Sequence, residues 1–185
     1  MTTYISILRG INVSGKNRIL MTALKEICEE LHFSNIQTYI QSGNLFFQFL
    51  ESDPHDLALK ISGQIQKQFG FSVSVIVLNV SELKYIVERN PFLADETKKI
   101  EYQCVTFLDL KPEQIDLDII NNIKQEGEEF AIDGKAVYLY CPYGFARTKL
   151  SNAFFEKKLK VNATTRNWKT TTELLKIATN NNPNT

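Results

Sequence analysis

Two kinds of hydrophobic pattern alternate along this chain, and their order occurs twice. Tyr4 to Leu8 is a short apolar run of the kind a buried strand makes. Met21, Leu24, Ile27, Cys28 and Leu31 then recur at three and four, the stripe of an amphipathic helix. Ile36 to Ile40 and Leu45 to Phe49 are β-rich and flank Ser42-Gly43-Asn44, which predicts a hairpin. Leu57, Ile61, Ile65 and Phe69 form a second helical stripe, and Val73 to Leu78 a third apolar, β-branched run. A short helix follows, with Ser81 as its expected N-cap, and Asn90-Pro91 ends it.

After a polar stretch the order returns. Cys104 to Leu108 predicts a strand, and Pro112 the first turn of a helix carrying Ile115, Ile119, Ile120 and Ile123. Asp133-Gly134, between Phe130-Ala131-Ile132 and Ala136 to Leu139, is a strong hairpin signal. Leu150, Ala153, Phe154 and Leu159 mark another helix, an extended piece lies near Ala163, and Asn167 is placed to cap a last helix through Ile177. The expectation is an α+β protein of two tandem ferredoxin-like (α-β plait) βαββαβ halves, antiparallel sheets with helices on one face. The first half would span 1–90, a linker 91–100, the second half 101–179, and residues 180–185 would fray.

At 185 residues the chain can bury a core without staples. Lys and Arg balance Asp and Glu at 21 each, so no global charge favours nucleic acid or membrane. Cys28, Cys104 and Cys141 are odd in number and share no ligand spacing, and His32 and His55 have no metal-like neighbours. Reduced thiols in a cytoplasmic protein, with no metal site and no cofactor, are the expectation. Met1 to Tyr4 lacks a basic region leading into an apolar core, and no apolar stretch approaches the ~20 residues that span a bilayer, so neither a signal peptide nor a membrane partner is expected.

One stretch suggests a ligand. Gly10, four residues, then Gly15-Lys16 follow the first apolar run, the spacing of a phosphate-cradling loop. Asn17 stands where a Ser or Thr would bind magnesium, and Arg18-Ile19-Leu20 separate the loop from the helical stripe. Val105 to Asp109 imitates the acidic strand of a nucleotide site. The element order argues against a magnesium-dependent nucleotide hydrolase. Two readings stay open: the glycines permit a wide turn whose backbone Asn12 and Asn17 bond, or the loop holds an anion without hydrolysis.

The stretches Leu8 to Asn17, Tyr39 to Asn44, and Asn152 to Leu159 with Ala163 to Trp168 resemble a bacterial family known as a domain of unknown function, number sixteen ninety-seven. The resemblance runs from about Tyr4 to about Ala178 and implies a cytoplasmic protein of two α-β plait halves, with no established activity and no catalytic residue to carry over. Lys160 and Asn162 stand where a Gly and a Pro are more usual in that family.

Plait topology brings Arg9 to Arg18 beside the Gln41-Ser42-Gly43-Asn44 turn in the first half. In the second it brings Tyr143 to Lys149 to the edge holding Arg166 to Trp168. Charge is segregated as well: Cys141 to Thr170 carries seven Lys or Arg against one Glu, and Asp109 to Asp133 eight acids against two Lys. The expected function is binding of a phosphate-bearing or other anionic small ligand at a polar, glycine-turned cleft between or at the ends of the halves. Arg9, Asn12, Gly15, Lys16, Asn17, Gln41, Asn44, Arg147, Lys149, Arg166 and Asn167 are the candidate ligand-binding residues. A nucleic-acid binder using the basic 141–170 region is the alternative. Gly144-Phe145-Ala146 overlaps an RNA-recognition pattern, although its flanks, Tyr143 and Arg147, do not fit. An enzyme of unnamed reaction is a third. No His lies in a motif, so a Ser or Cys nucleophile would lack its usual base.

Overall fold

A computed structural model describes residues 1–13 and 15–181 of the chain. The strands are β1 (Thr2–Leu8), β2 (Ser34–Tyr39), β3 (Asn44–Phe49), β4 (Val75–Asn79), β5 (Gln103–Leu108), β6 (Glu129–Asp133), β7 (Ala136–Tyr140) and β8 (Ala163–Asn167). The helices are α1 (Met21–Glu30), α2 (Pro54–Phe69), α3 (Val80–Glu88), α4 (Leu117–Ile123), α5 (Asn152–Leu159) and α6 (Trp168–Asn180). They form two four-stranded sheets, in the orders β2-β3-β1-β4 and β6-β7-β5-β8, with every neighbouring pair antiparallel. The fold is mixed α+β, and β-α-β-β-α-β is the order within each sheet's share of the chain.

The chain forms two compact units, Met1–Lys84 with Leu174–Thr185, and Tyr85–Glu173. It passes from one to the other within α3 and returns within α6. Residues 91–100, read as a linker, include a 3-10 turn at Pro91–Ala94 that buries Phe92. Of the tail read as frayed, Asn180 ends α6, and 182–185 lie outside the described residues, as does Ser14 of the glycine loop.

In the first unit, period-two alternation turns Tyr4 and Leu8 of β1, Leu45 and Phe47 of β3, and Val75 and Val77 of β4 toward α1 and α2. Leu24, Ile27 and Cys28 of α1 and Leu57, Ile61 and Ile65 of α2 meet them. Ile5, Ile7, Phe46, Ile76 and Leu78 point the other way and are also buried. Helix α2 has a complete set of end signals. Asp53 accepts from the His55 N–H at 2.7 Å, Pro54 opens the first turn, and Gly70 closes the helix in the left-handed region.

Two helix starts differ from expectation. Ser81 lies inside α3; Asn79 caps it instead, accepting from the Glu82 N–H at 2.8 Å while Glu82 accepts from the Asn79 N–H at 3.0 Å. This reciprocal pair satisfies two backbone donors, which one Ser cannot do. Pro112 lies outside α4, which begins at Leu117 because the Asp116 carboxylate accepts from the Ile119 N–H at 3.1 Å. The hairpin at Asp133-Gly134 is present: Asp133 pairs with Ala136 across a two-residue turn, and Gly134 takes φ 56.

Candidate functional site

The β1–α1 loop and the β2–β3 turn leave the same end of the first sheet, because Ile7 pairs with Asn44. Side-chain amides bind the two together. The Asn12 Nδ2 donates to the carbonyls of Ile19, at 2.9 Å, and Gln41, at 3.0 Å, while Asn12 Oδ1 accepts from the Ile19 N–H at 3.0 Å. Asn17 Nδ2 donates to the Gly10 carbonyl at 3.3 Å, and the Asn12 N–H donates to the Asn17 carbonyl at 3.2 Å. Ile11 and Ile19 anchor the loop in the core at 1% and 2% exposure. Gly43 donates space: a Cβ there would stand 2.6 Å from Ile11 Cδ1 and 2.9 Å from Leu8 Cβ. Asn44 is fully buried and donates to the Tyr39 carbonyl and Ser42 Oγ, closing the turn. The juxtaposition of residues 9–18 with 41–44 expected from topology is therefore present.

A cleft of about 470 Å³ opens beside this junction, lined by Asn12, Gly15, Arg18, Ile19, Leu20, Met21 and Gln41. Among the eleven candidates, the structure brings Asn12, Gly15 and Gln41 to its wall. Arg9, Lys16, Asn17 and Asn44 belong to the same loop and turn but do not line it. Arg18 is the cation that does, and it falls after the Gly-Lys spacing that carries the motif signal. Its one signal was its place immediately before a buried residue and a helix. Helix α1 starts at this wall with Leu20 at the N-cap position, no side-chain cap and no acidic residue in its first turn. Its leading N–H groups are therefore left without a side-chain acceptor, the arrangement that favours an anion.

The second unit holds the other four candidates. Gln103 pairs with Tyr140 and Cys104 with Asn167, so the chain leaves β7 and ends β8 at the same end of β5. Arg147 and Lys149 are exposed on the segment after β7, and the Arg147 carbonyl accepts from Gln125 Nε2 at 2.8 Å. Arg166 is half-buried on β8 and donates to Thr164 Oγ1 and the Thr165 carbonyl. Burial pulls its guanidinium down to about 10, which leaves it charged at neutral pH. Asn167 Oδ1 accepts from the Thr170 N–H at 2.7 Å and so starts α6. Of the aromatic side chains near these candidates, Tyr143 is exposed and the others are occupied in packing. Phe145 and Phe154 lie against the hydrophobic cluster, and Phe155 and Trp168 are buried.

Burial raises all three thiols, Cys28 and Cys141 to about 12 and Cys104 to about 11. They are free and buried. Among the described residues, no group of three or more His, Cys, Asp or Glu side chains is placed to hold a metal ion, and no helix is long and apolar enough to cross a membrane.

This arrangement of two antiparallel four-stranded sheets with an amide-stapled glycine loop occurs in a chain that belongs to the family described as "Protein of unknown function (DUF1697)", whose sequence model matches residues 1–138. The first two motifs fall inside that span; Asn152 to Leu159 and Ala163 to Trp168 lie beyond it. Among curated proteins none matches the chain. A solved structure, "The structure of conserved bacterial protein SP0830 from Streptococcus pneumoniae", is similar, with a TM-score of 0.68 and 24% identity over 96% of this chain and 98% of that one. That likeness concerns the fold alone.

Proposed function

We propose that the first unit binds a phosphate-bearing or otherwise anionic small ligand in the cleft beside the glycine loop. The lining of that cleft carries the reading: Arg18, a glycine, two side-chain amides and the uncapped start of α1, with no carboxylate among the lining residues. Asn12 is already engaged in three hydrogen bonds, so its role is to fix the loop rather than to meet the ligand. A pre-fixed loop lowers the ordering cost of binding. Binding is favoured over magnesium-dependent hydrolysis because the residue in the metal-binding position, Asn17, donates its amide to Gly10 and offers no hydroxyl.

Each half is, in this reading, a ferredoxin-like α-β plait; strand orders β2-β3-β1-β4 and β6-β7-β5-β8 with antiparallel neighbours support it. Three free, buried thiols support a reducing, cytoplasmic setting. The nucleic-acid alternative draws on the basic 141–170 region, where Phe155 and Trp168 are buried, Phe145 and Phe154 pack against the core, and the exposed Tyr143 is the ring placed to stack on a base.

A thermal-shift panel tests the binding. It would hold inorganic phosphate, sugar phosphates, nucleotides with and without magnesium, and short oligonucleotides, against the wild type, Arg18→Ala and Arg147→Ala. A ligand at a hundred times its Kd adds about 2.7 kcal/mol, roughly 5 to 10 °C for a chain of this size. The expected result is a shift from a small phosphate compound that Arg18→Ala loses and Arg147→Ala keeps. A shift from oligonucleotides alone, collapsing with added salt, would support the nucleic-acid reading instead.

A further inference from the structure

Two side chains beside the first unit's cleft are placed against local preference. Leu20 occupies the N-cap position of α1, with φ −66 and ψ 142. Ser, Thr, Asp and Asn favour that position because their oxygens accept from the first turn; a leucine gives up that bond. It gains no burial in exchange, since Leu20 is 75% exposed. Ile40 precedes Gln41, takes φ 52 and is 48% exposed. A β-branched residue in the left-handed region is an outlier that persists where the surrounding structure holds it. The Asn12 side chain joins the two segments by bonding the carbonyls of both Ile19 and Gln41. Exposed aliphatic surface is thus kept, at a local cost, at a junction that also carries the Arg18 cation. The cleft, about 470 Å³, is also in the size range that takes organic ligands and is far larger than a bare phosphate fills.

We infer that the ligand of this cleft is an organic phosphate monoester whose carbon part is apolar, held by Arg18 at its phosphate and by Leu20 and Met21 at its apolar end. The inference rests on the anion-binding reading of the same cleft and adds the chemical class. It assigns Leu20 a role in ligand preference that costs the helix a cap.

Calorimetric titration of the full chain with inorganic phosphate and with phenyl phosphate separates the two. Phenyl phosphate should bind at least about tenfold more tightly, the order expected when a ring leaves water against aliphatic side chains. Leu20→Ala, which removes the aliphatic side chain without adding an acceptor for the α1 N–H groups, should bring phenyl phosphate to the level of inorganic phosphate. Arg18→Ala should weaken both ligands. Equal affinity of the two ligands for the wild type would overturn the apolar assignment and leave anion binding standing. Binding of neither at millimolar concentration would overturn the anion reading and this inference with it. A Leu20→Ala variant that stays folded and keeps the full preference would also overturn the assignment.

Discussion

Asn12, Gly43 and Lys160 each hold a backbone conformation that their neighbours require. Asn12, at φ 57, makes three side-chain hydrogen bonds that close the β1–α1 loop onto the β2–β3 turn. At a net of roughly 1 kcal/mol for each of the two partly buried bonds, and less for the exposed one to Gln41, Asn12→Ala should cost about 2 kcal/mol, read as a lower urea midpoint at unchanged slope. Gly43 has φ 80 and no room for a methyl group against Leu8 and Ile11. Gly43→Ala combines backbone strain with overpacking and should destabilise by about 2 to 4 kcal/mol. Lys160 ends α5 in the left-handed region at φ 57, ψ 35. Lys160→Gly should therefore stabilise the protein by about 0.5 to 1 kcal/mol, the left-handed penalty of a side chain less the entropy of glycine, visible as a rise of a few degrees in Tm.

At the scale of elements, the sequence was legible wherever a periodic apolar run met a strong turn. Leu24, Ile27 and Cys28 identified α1, and Asp133-Gly134 located the β6–β7 hairpin to within one residue, Asp133 ending the strand and Gly134-Lys135 making the turn. Helix starts were less legible, because several polar residues compete for each cap and only tertiary placement decides between them. Ser81 and Asn79 both suit a cap, but β4 runs through Asn79, which fixes it two residues earlier and lets Glu82 bond back. Asn79→Ala should thus lower stability by about 1 kcal/mol while Ser81→Ala changes little, a contrast that paired thermal melts would reveal. The candidate site was legible in part. The Gly-Lys spacing pointed to the loop beside the cleft and placed weight on Lys16, whereas Arg18 lines the cleft. The loop's return path, set by the Ile11 and Ile19 anchors, decides which cation faces inward, and residue spacing carries no record of that path.

For the whole molecule, the two sheets bury their central strands on both faces, and the three cysteines share in that burial. Their folded pKa values, about 11 to 12, exceed the ordinary value of 9.0. Unfolding then releases protons at alkaline pH. The thiols' contribution to stability is complete below about pH 9 and is lost as pH rises through 11 to 12. Urea unfolding at pH 8, 9, 10 and 11 should show that decline, and at pH 8 the native thiols should resist alkylation until the protein unfolds. The division into units was not legible at its second crossing: α6 is one continuous amphipathic helix from Trp168 to Asn180, and nothing in its sequence marks Leu174 as the residue where the chain rejoins the first unit.

The central claim is that the first unit's glycine-loop cleft holds an anionic ligand. A titration of isotope-labelled full-length protein with phenyl phosphate, followed amide by amide in a heteronuclear correlation spectrum, tests it most directly. Saturable shifts confined to Gly10 through Met21 and to Gln41, and abolished in Arg18→Ala, are the predicted result. Shifts centred on Arg147, Lys149 and Arg166, or none at millimolar ligand, would contradict it.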